Sequence, residues 1–125
     1  MKKIIFTAHA PKAIGPYSQA VEANGTLYIS GQVPINPATG KLVEGGIKEQ
    51  TEQVMKNIGA LLEAAGYTFK DVVKSVCLLS DMDNFAAMNE VYGSYYTHDN
   101  PARAAFGVVR LPLGALIEIE TIAVK

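Results

Sequence analysis

Pro101-Ala102-Arg103-Ala104-Ala105-Phe106 and, after Leu111-Pro112, Leu116-Ile117-Glu118-Ile119-Glu120-Thr121-Ile122-Ala123-Val124 form the stretch on which the fold turns. The second run is β-branched and aliphatic except for two carboxylates. In an extended strand alternate residues share a face, so Glu118 and Glu120 stand on one side, roughly 7 Å apart. Ile117, Ile119, Thr121 and Ala123 take the other side. A charge inside such a run has to be paired or turned on a ligand to offset its desolvation. The pattern predicts a sheet buried on one face, with an acidic pair on a second, semi-polar face.

Working outward, the rest of the chain supplies strands and two helices. Residues 3–7 and Tyr17–Ala23 read as strands, separated by a loop that Pro11, Gly15 and Pro16 break up. Asn24-Gly25 lies between the second strand and Leu27-Tyr28-Ile29-Ser30, a strong hairpin signal, and Gly31 ends the third strand. Pro34–Gly46 reads as loop. Ile47, Val54, Met55, Ile58, Leu61, Leu62 and Ala65 then recur at helical spacing, while Lys48, Glu49, Glu52, Gln53, Lys56 and Glu63 face water. Gly66 stops this helix. Val72–Leu79 is a strand, and Asp81-Met82-Asp83-Asn84 offers caps for a helix with Phe85, Met88, Val91, Tyr92 and Tyr95 inward. Strands near 103–109 and 116–124 close the chain. The order β-β-β-α-β-α-β-β predicts an α+β fold, two helices on one mixed β-sheet, with residues 1–125 as a single domain. One helical layer covers one sheet face, so an apolar second face calls for self-association.

Composition narrows the function. The 125 residues are 49% apolar and 18% charged, as in a folded globular protein, and the net charge is −1. No basic stripe marks nucleic acid as a partner. No run reaches the 18 apolar residues that span a bilayer, and the apolar stretch within Met1-Lys2-Lys3-Ile4-Ile5-Phe6 is too short to read as a signal peptide. One cysteine, Cys77, excludes an internal disulfide and fits a reducing, cytoplasmic setting. Its apolar neighbours read as those of a buried, inert thiol.

Chemistry rests on few residues. Arg103, fixed after Pro101, can grip a carboxylate through two parallel hydrogen bonds, or bridge to Glu118 or Glu120. Glu118 can act as a general base on water, or serve as a strand carboxylate paired with Arg103, Arg110 or a neighbouring chain. Tyr17 and Ser30, at a turn and a strand end, can aim hydroxyls at a ligand or satisfy local backbone. Ser30 lacks a nucleophile elbow. His9 and His98 lie in separate loops without metal-ligand spacing, so no metal site is read. The tyrosines at 92, 95 and 96 read as helix core and rim.

Several segments together resemble the YjgF-type reactive intermediate/imine deaminase (RidA) family over essentially the whole chain. They are Ala10-Pro11…Ala13-Ile14-Gly15-Pro16-Tyr17-Ser18-Gln19, Ser30-Gly31-Gln32, Phe85…Asn89-Glu90-Val91-Tyr92, Pro101-Ala102-Arg103 and Ile117-Glu118-Ile119-Glu120. The resemblance implies a chorismate-mutase-like fold in a homotrimer, with sheets meeting around the threefold axis and ligand sites between subunits. It implies cofactor-free hydrolysis of 2-enamine or 2-imine acids, such as 2-aminoacrylate and 2-aminocrotonate, to 2-keto acids and ammonia. By motif position Arg103 would hold the substrate carboxylate and Glu118 would position or activate water. Tyr17 and Ser30 would line the pocket, Gly31 and the Ala105 backbone would add hydrogen-bonding groups, and Asn89 would lie near the site. The chain departs from the family at Ala105, where many bacterial members carry Cys, and at Val109. Competing readings are a non-catalytic trimer that binds small carboxylates, and a ribonuclease or translation inhibitor.

Overall fold

The computed structural model describes all residues, Met1–Lys125. Strands β1 (Lys3–Ile5), β2 (Ala20–Ala23) and β3 (Thr26–Gln32) come first, then a two-stranded ribbon of β4 (Ile35–Asn36) and β5 (Lys41–Leu42). Helix α1 (Ile47–Ala65), β6 (Val72–Leu79), helix α2 (Phe85–Ser94), β7 (Ala102–Gly107) and β8 (Ile117–Val124) complete the chain. Six strands form one sheet in the order β1-β2-β3-β8-β6-β7. Only β6 and β7 run parallel, because α2 is the crossover between them. The α+β reading with a mixed sheet and two helices therefore holds, and the ribbon β4–β5 is an addition inside the segment read as loop.

Local chemistry accounts for the joints. Asn24 and Gly25 both take positive φ, 52° and 75°, as the tight hairpin turn between β2 and β3 requires. Gly66 lies in the left-handed region at the end of α1. Its N–H reaches Glu63 O at 3.0 Å and that of Tyr67 reaches Leu62 O at 2.8 Å, closing the helix with a Schellman pair. Asp81 accepts from Asp83 N at 2.9 Å and caps a short 3₁₀ turn that feeds α2, rather than capping α2 itself.

The core lies between the sheet and the helices. Ile117, Ile119, Thr121 and Ala123 of β8 are buried there with Leu27 and Ile29 of β3, Cys77 and Leu79 of β6, and Val54, Met55, Ile58, Leu61 and Leu62 of α1. The opposite sheet face has no covering layer and carries Tyr28, Val76, Leu78, Phe106, Ile122 and Val124 around the two glutamates. Tyr28 and Phe106 are each 50% exposed, so this face is apolar as well as acidic.

Helix α1 departs from its amphipathic pattern at Gln50, Thr51 and Asn57, all buried. Gln50 accepts from Leu116 N at 2.8 Å, and Asn57 donates to Val33 O at 3.2 Å and Ile35 O at 3.0 Å. These amides tie to the helix the two segments that flank β3 and β8 at their cleft end. Asn57→Ala would leave carbonyls unpaired in a buried setting, so unfolding by denaturant is expected to show a loss of about 1–3 kcal/mol.

Candidate active site

A cleft of about 490 Å³ opens at the end of β3 and β8. Tyr17, Ser30, Gly31, Glu118 and Glu120 line it, together with Lys12, Ile14, Gln19, Ile35 and Leu113. Its floor is made by a β-bulge. Ile29 pairs with Thr121 and Gln32 with Ile119, so Ser30 and Gly31 together span the space opposite Glu120. The strand thus continues through Gly31 to Gln32, where the sequence pattern ended it. The extra residue lets Gln32 return to the buried face, where it is 5% exposed.

Gly31 has a specific reason to be glycine. A Cβ there would overlap the Glu118 carboxylate and come within 2.9 Å of its Cδ. The carboxylate lies against bare backbone. Burial raises the Glu118 pKa above its usual 4.5, and the charge of Glu120 two residues on adds to the rise. No cation pairs with Glu118; the chain's ion pair joins Lys48 to Glu90 at 2.7 Å on the helices.

The wall of the cleft hangs on one amide. Gln19 is 4% exposed. Its Oε1 accepts from Thr7 N at 2.9 Å, and its Nε2 donates to Pro11 O at 2.8 Å and Thr7 O at 3.0 Å. These bonds fold the segment between β1 and β2 back on itself, so Tyr17 lies in a turn and not in the strand expected for it. The Tyr17 hydroxyl accepts from Ile14 N at 3.4 Å. Ser30 donates its hydroxyl to Ser18 O at 2.6 Å, which leaves the oxygen lone pairs free to accept.

Arg103, Asn89 and Ala105 are elsewhere. Arg103 pairs with Ser75 across the β6–β7 ladder, and Ser75 pairs with Thr121 on β8. Paired residues share a face, so Arg103 lies on the helix-covered side. By the same ladders Glu118 aligns with Leu78 and Phe106 on the open side. Within one chain the arginine and the glutamate lie on opposite faces, and the intrachain salt bridge considered from the sequence does not form. Arg103 Nη1 instead donates to Asn89 Oδ1 at 2.7 Å, and its guanidinium lies over the rings of Phe85 and Tyr92. Ala105 aligns with Cys77, which is fully buried. Burial pushes the Cys77 thiol up to about 11, outweighing the opposing pull of Arg103, so it stays protonated.

The chain as a whole has counterparts among known proteins. Residues 7–125 match the family model described as Endoribonuclease L-PSP. The chain belongs to the Endoribonuclease L-PSP (YjgF/RidA) family. A RutC family protein of Pyrococcus horikoshii is 58% identical over 125 residues, covering 100% of this chain and 99% of the relative. The 2-iminobutanoate/2-iminopropanoate deaminase of Mus musculus is 51% identical, over 100% of this chain and 93% of its own. Among solved structures, the Rid family protein YyfA of Yersinia pestis, described as of unknown function, superposes with a TM-score of 0.97. Its identity is 49%, with both chains covered completely.

Within this family fold, the sequence pattern did not single out Gln19 as the loop's anchor or Leu113 as a cleft residue. Leu113 takes a left-handed conformation, φ 59°, between Pro112 and Gly114. Proline and glycine both favour a turn, but nothing in the run marks the turn as facing the cleft. The close approach of Gly31 to Glu118 carries a direct expectation. In Gly31→Ala the flexible carboxylate should yield rather than the backbone, so the melting temperature should stay near wild type. Ligand binding in the cleft should fall, and a crystal structure should show Glu118 turned away from residue 31.

Proposed function

We propose that this chain hydrolyses small 2-imino acids to 2-keto acids and ammonia, in sites that two copies of the chain build together. Glu118 carries the reading: a half-buried carboxylate of raised pKa, free of any cation, set over Gly31 in a cleft with Tyr17 and Ser30. The mouse relative's name as an imine deaminase gives the class of substrate.

In this reading Arg103 binds the substrate carboxylate through paired hydrogen bonds. Glu118 takes a proton from water as the water oxygen bonds to the imine carbon, and passes it to the nitrogen, which becomes an amine. Glu118 then takes the proton of the new hydroxyl and delivers it to that amine as the C–N bond breaks, leaving C=O, ammonia and an ionised Glu118. The imine carbon is already electrophilic, so a positioned water and a held carboxylate supply much of the acceleration. Ser30, the Gly31 backbone and the Ala105 backbone are the remaining polar contacts, and Tyr17 closes one side.

The opposite faces of Arg103 and Glu118 support a site completed by a second copy. The uncovered apolar face around Tyr28, Leu78, Phe106 and Ile122 is the surface on which copies would meet, in a homotrimer. Sedimentation at micromolar concentration tests that assembly directly.

The decisive test is Glu118→Gln on freshly generated 2-aminocrotonate. Turnover is expected to fall by about 100-fold or more, while 2-ketobutyrate still binds. Equal loss of binding would make Glu118 structural and leave a carboxylate-binding protein as the reading. For the wild type, kcat/KM should fall on the acid side with a midpoint above 4.5. Stability gives an independent sign. A carboxyl whose folded pKa is raised holds its proton to higher pH in the folded state than in the unfolded chain. Stability is therefore lost as pH rises from the unfolded to the folded pKa, and the loss persists above it. Glu118→Gln removes that loss, so its Tm at neutral pH should equal or exceed that of wild type. The family's description also raises ribonuclease chemistry. A net charge of −1 gives that reading little electrostatic support, and salt-sensitive RNA binding would be its sign.

A further inference from the structure

Resting on that assignment of Arg103, we propose that Phe85, Asn89 and Tyr92 form a positioning cradle that presents the Arg103 guanidinium to a substrate carboxylate. The three residues are spaced i, i+4 and i+7 on α2 and so form one stripe along the helix. The Arg103 guanidinium carbon lies 5.3 Å from the Phe85 ring centroid and 5.1 Å from that of Tyr92. Both separations are within the range of cation–π attraction. Asn89 Oδ1 accepts from Nη1 at 2.7 Å.

The two kinds of contact restrain different motions. The rings hold the guanidinium against the helix, and the amide fixes how the group turns there. A guanidinium has five N–H donors, of which Asn89 engages one. The edge formed by Nε and Nη2 stays free for a two-pronged grip. An arginine on the exposed edge strand β7 would otherwise sample many rotamers, and binding would have to order it. Tyr92 is itself held firmly. It is 6% exposed, and its ring packs on Tyr96 with centroids 4.9 Å apart. Phe85 is half-buried against the core. The cradle is thus built on packed side chains, not on a loop.

Arginine NMR tests this without activity. The chain has two arginines, Arg103 and Arg110, so two Nε–H signals are expected. The Arg103 side-chain protons should be ring-current shifted relative to those of Arg110. Phe85→Leu and Tyr92→Leu should move them towards Arg110, while Tyr92→Phe, which keeps the ring, should not. The Leu variants and Asn89→Ala should weaken 2-ketobutyrate binding about 10-fold and raise KM similarly, with kcat changed far less. Phe85→Leu and Asn89→Ala keep the test open if the more buried Tyr92→Leu fails to fold. Unshifted Arg103 signals in the wild type would overturn the cradle. So would 2-ketobutyrate binding unchanged in folded Phe85→Leu and Asn89→Ala. A wild type that binds no 2-keto acid would instead sink the carboxylate role of Arg103, while its NMR signals would still decide whether the rings hold it.

Discussion

The alternation along β8 is the constraint on which the rest depends. Ile117, Ile119, Thr121 and Ala123 are buried against the helices, and the strand is paired on both sides, by β3 and by β6. Burying each large aliphatic side chain is worth about 1.5–3 kcal/mol. A slip of one residue would expose those side chains and push Glu118 and Glu120 into the core, at a far greater cost. The position of Glu118 is therefore fixed by packing on the opposite face of its own strand. The site then adapts to that fixed carboxylate: β3 bulges at Ser30–Gly31, and residue 31 has no side chain.

Arg103 follows from a second packing decision. The crossover through α2 makes β7 parallel to β6, which aligns Arg103 with Ser75 and not with a residue of the open face. Its stem and head then lie over α2, where Phe85, Asn89 and Tyr92 receive them. The same register brings Ala105 over Cys77 and leaves the thiol buried and protonated. Two charged groups close in sequence to one another, Arg103 and Glu118, are separated by the thickness of a sheet.

Much of this was legible in the residues, and the rest was hidden for identifiable reasons. The two faces of β8, the Asn24-Gly25 turn, the end of α1 at Gly66 and the span of β6 follow from period and turn chemistry, and the structure has each of them. The bulge was not legible, because Ser30-Gly31 looks like a strand end and only the partner register shows that pairing resumes at Gln32. Buried amides were hidden too. Gln19, Gln50 and Asn57 carry no mark of burial in the sequence, yet each satisfies distant backbone groups that no local pattern announces. The opposite orientation of Arg103 and Glu118 needed the strand order, since alternation gives faces within a strand but not between strands.

That opposition has a chemical consequence. Had Arg103 bridged to Glu118 in the same chain, the guanidinium would have lowered the carboxyl pKa and left a weaker base. It would also have occupied the donors that a substrate carboxylate needs. Placing them on opposite faces leaves Glu118 with only burial and Glu120 acting on it, both of which raise its pKa. Arg103 meanwhile engages a neutral amide and two rings, none of which neutralises its charge. In the proposed assembly the two groups meet only across a subunit boundary, with substrate between them. The anionic carboxylate then goes to the arginine and the electrophilic carbon to the water held by the glutamate. In the proposed reading the two groups would serve as base and clamp, and the fold leaves each of them unsatisfied by the other within one chain.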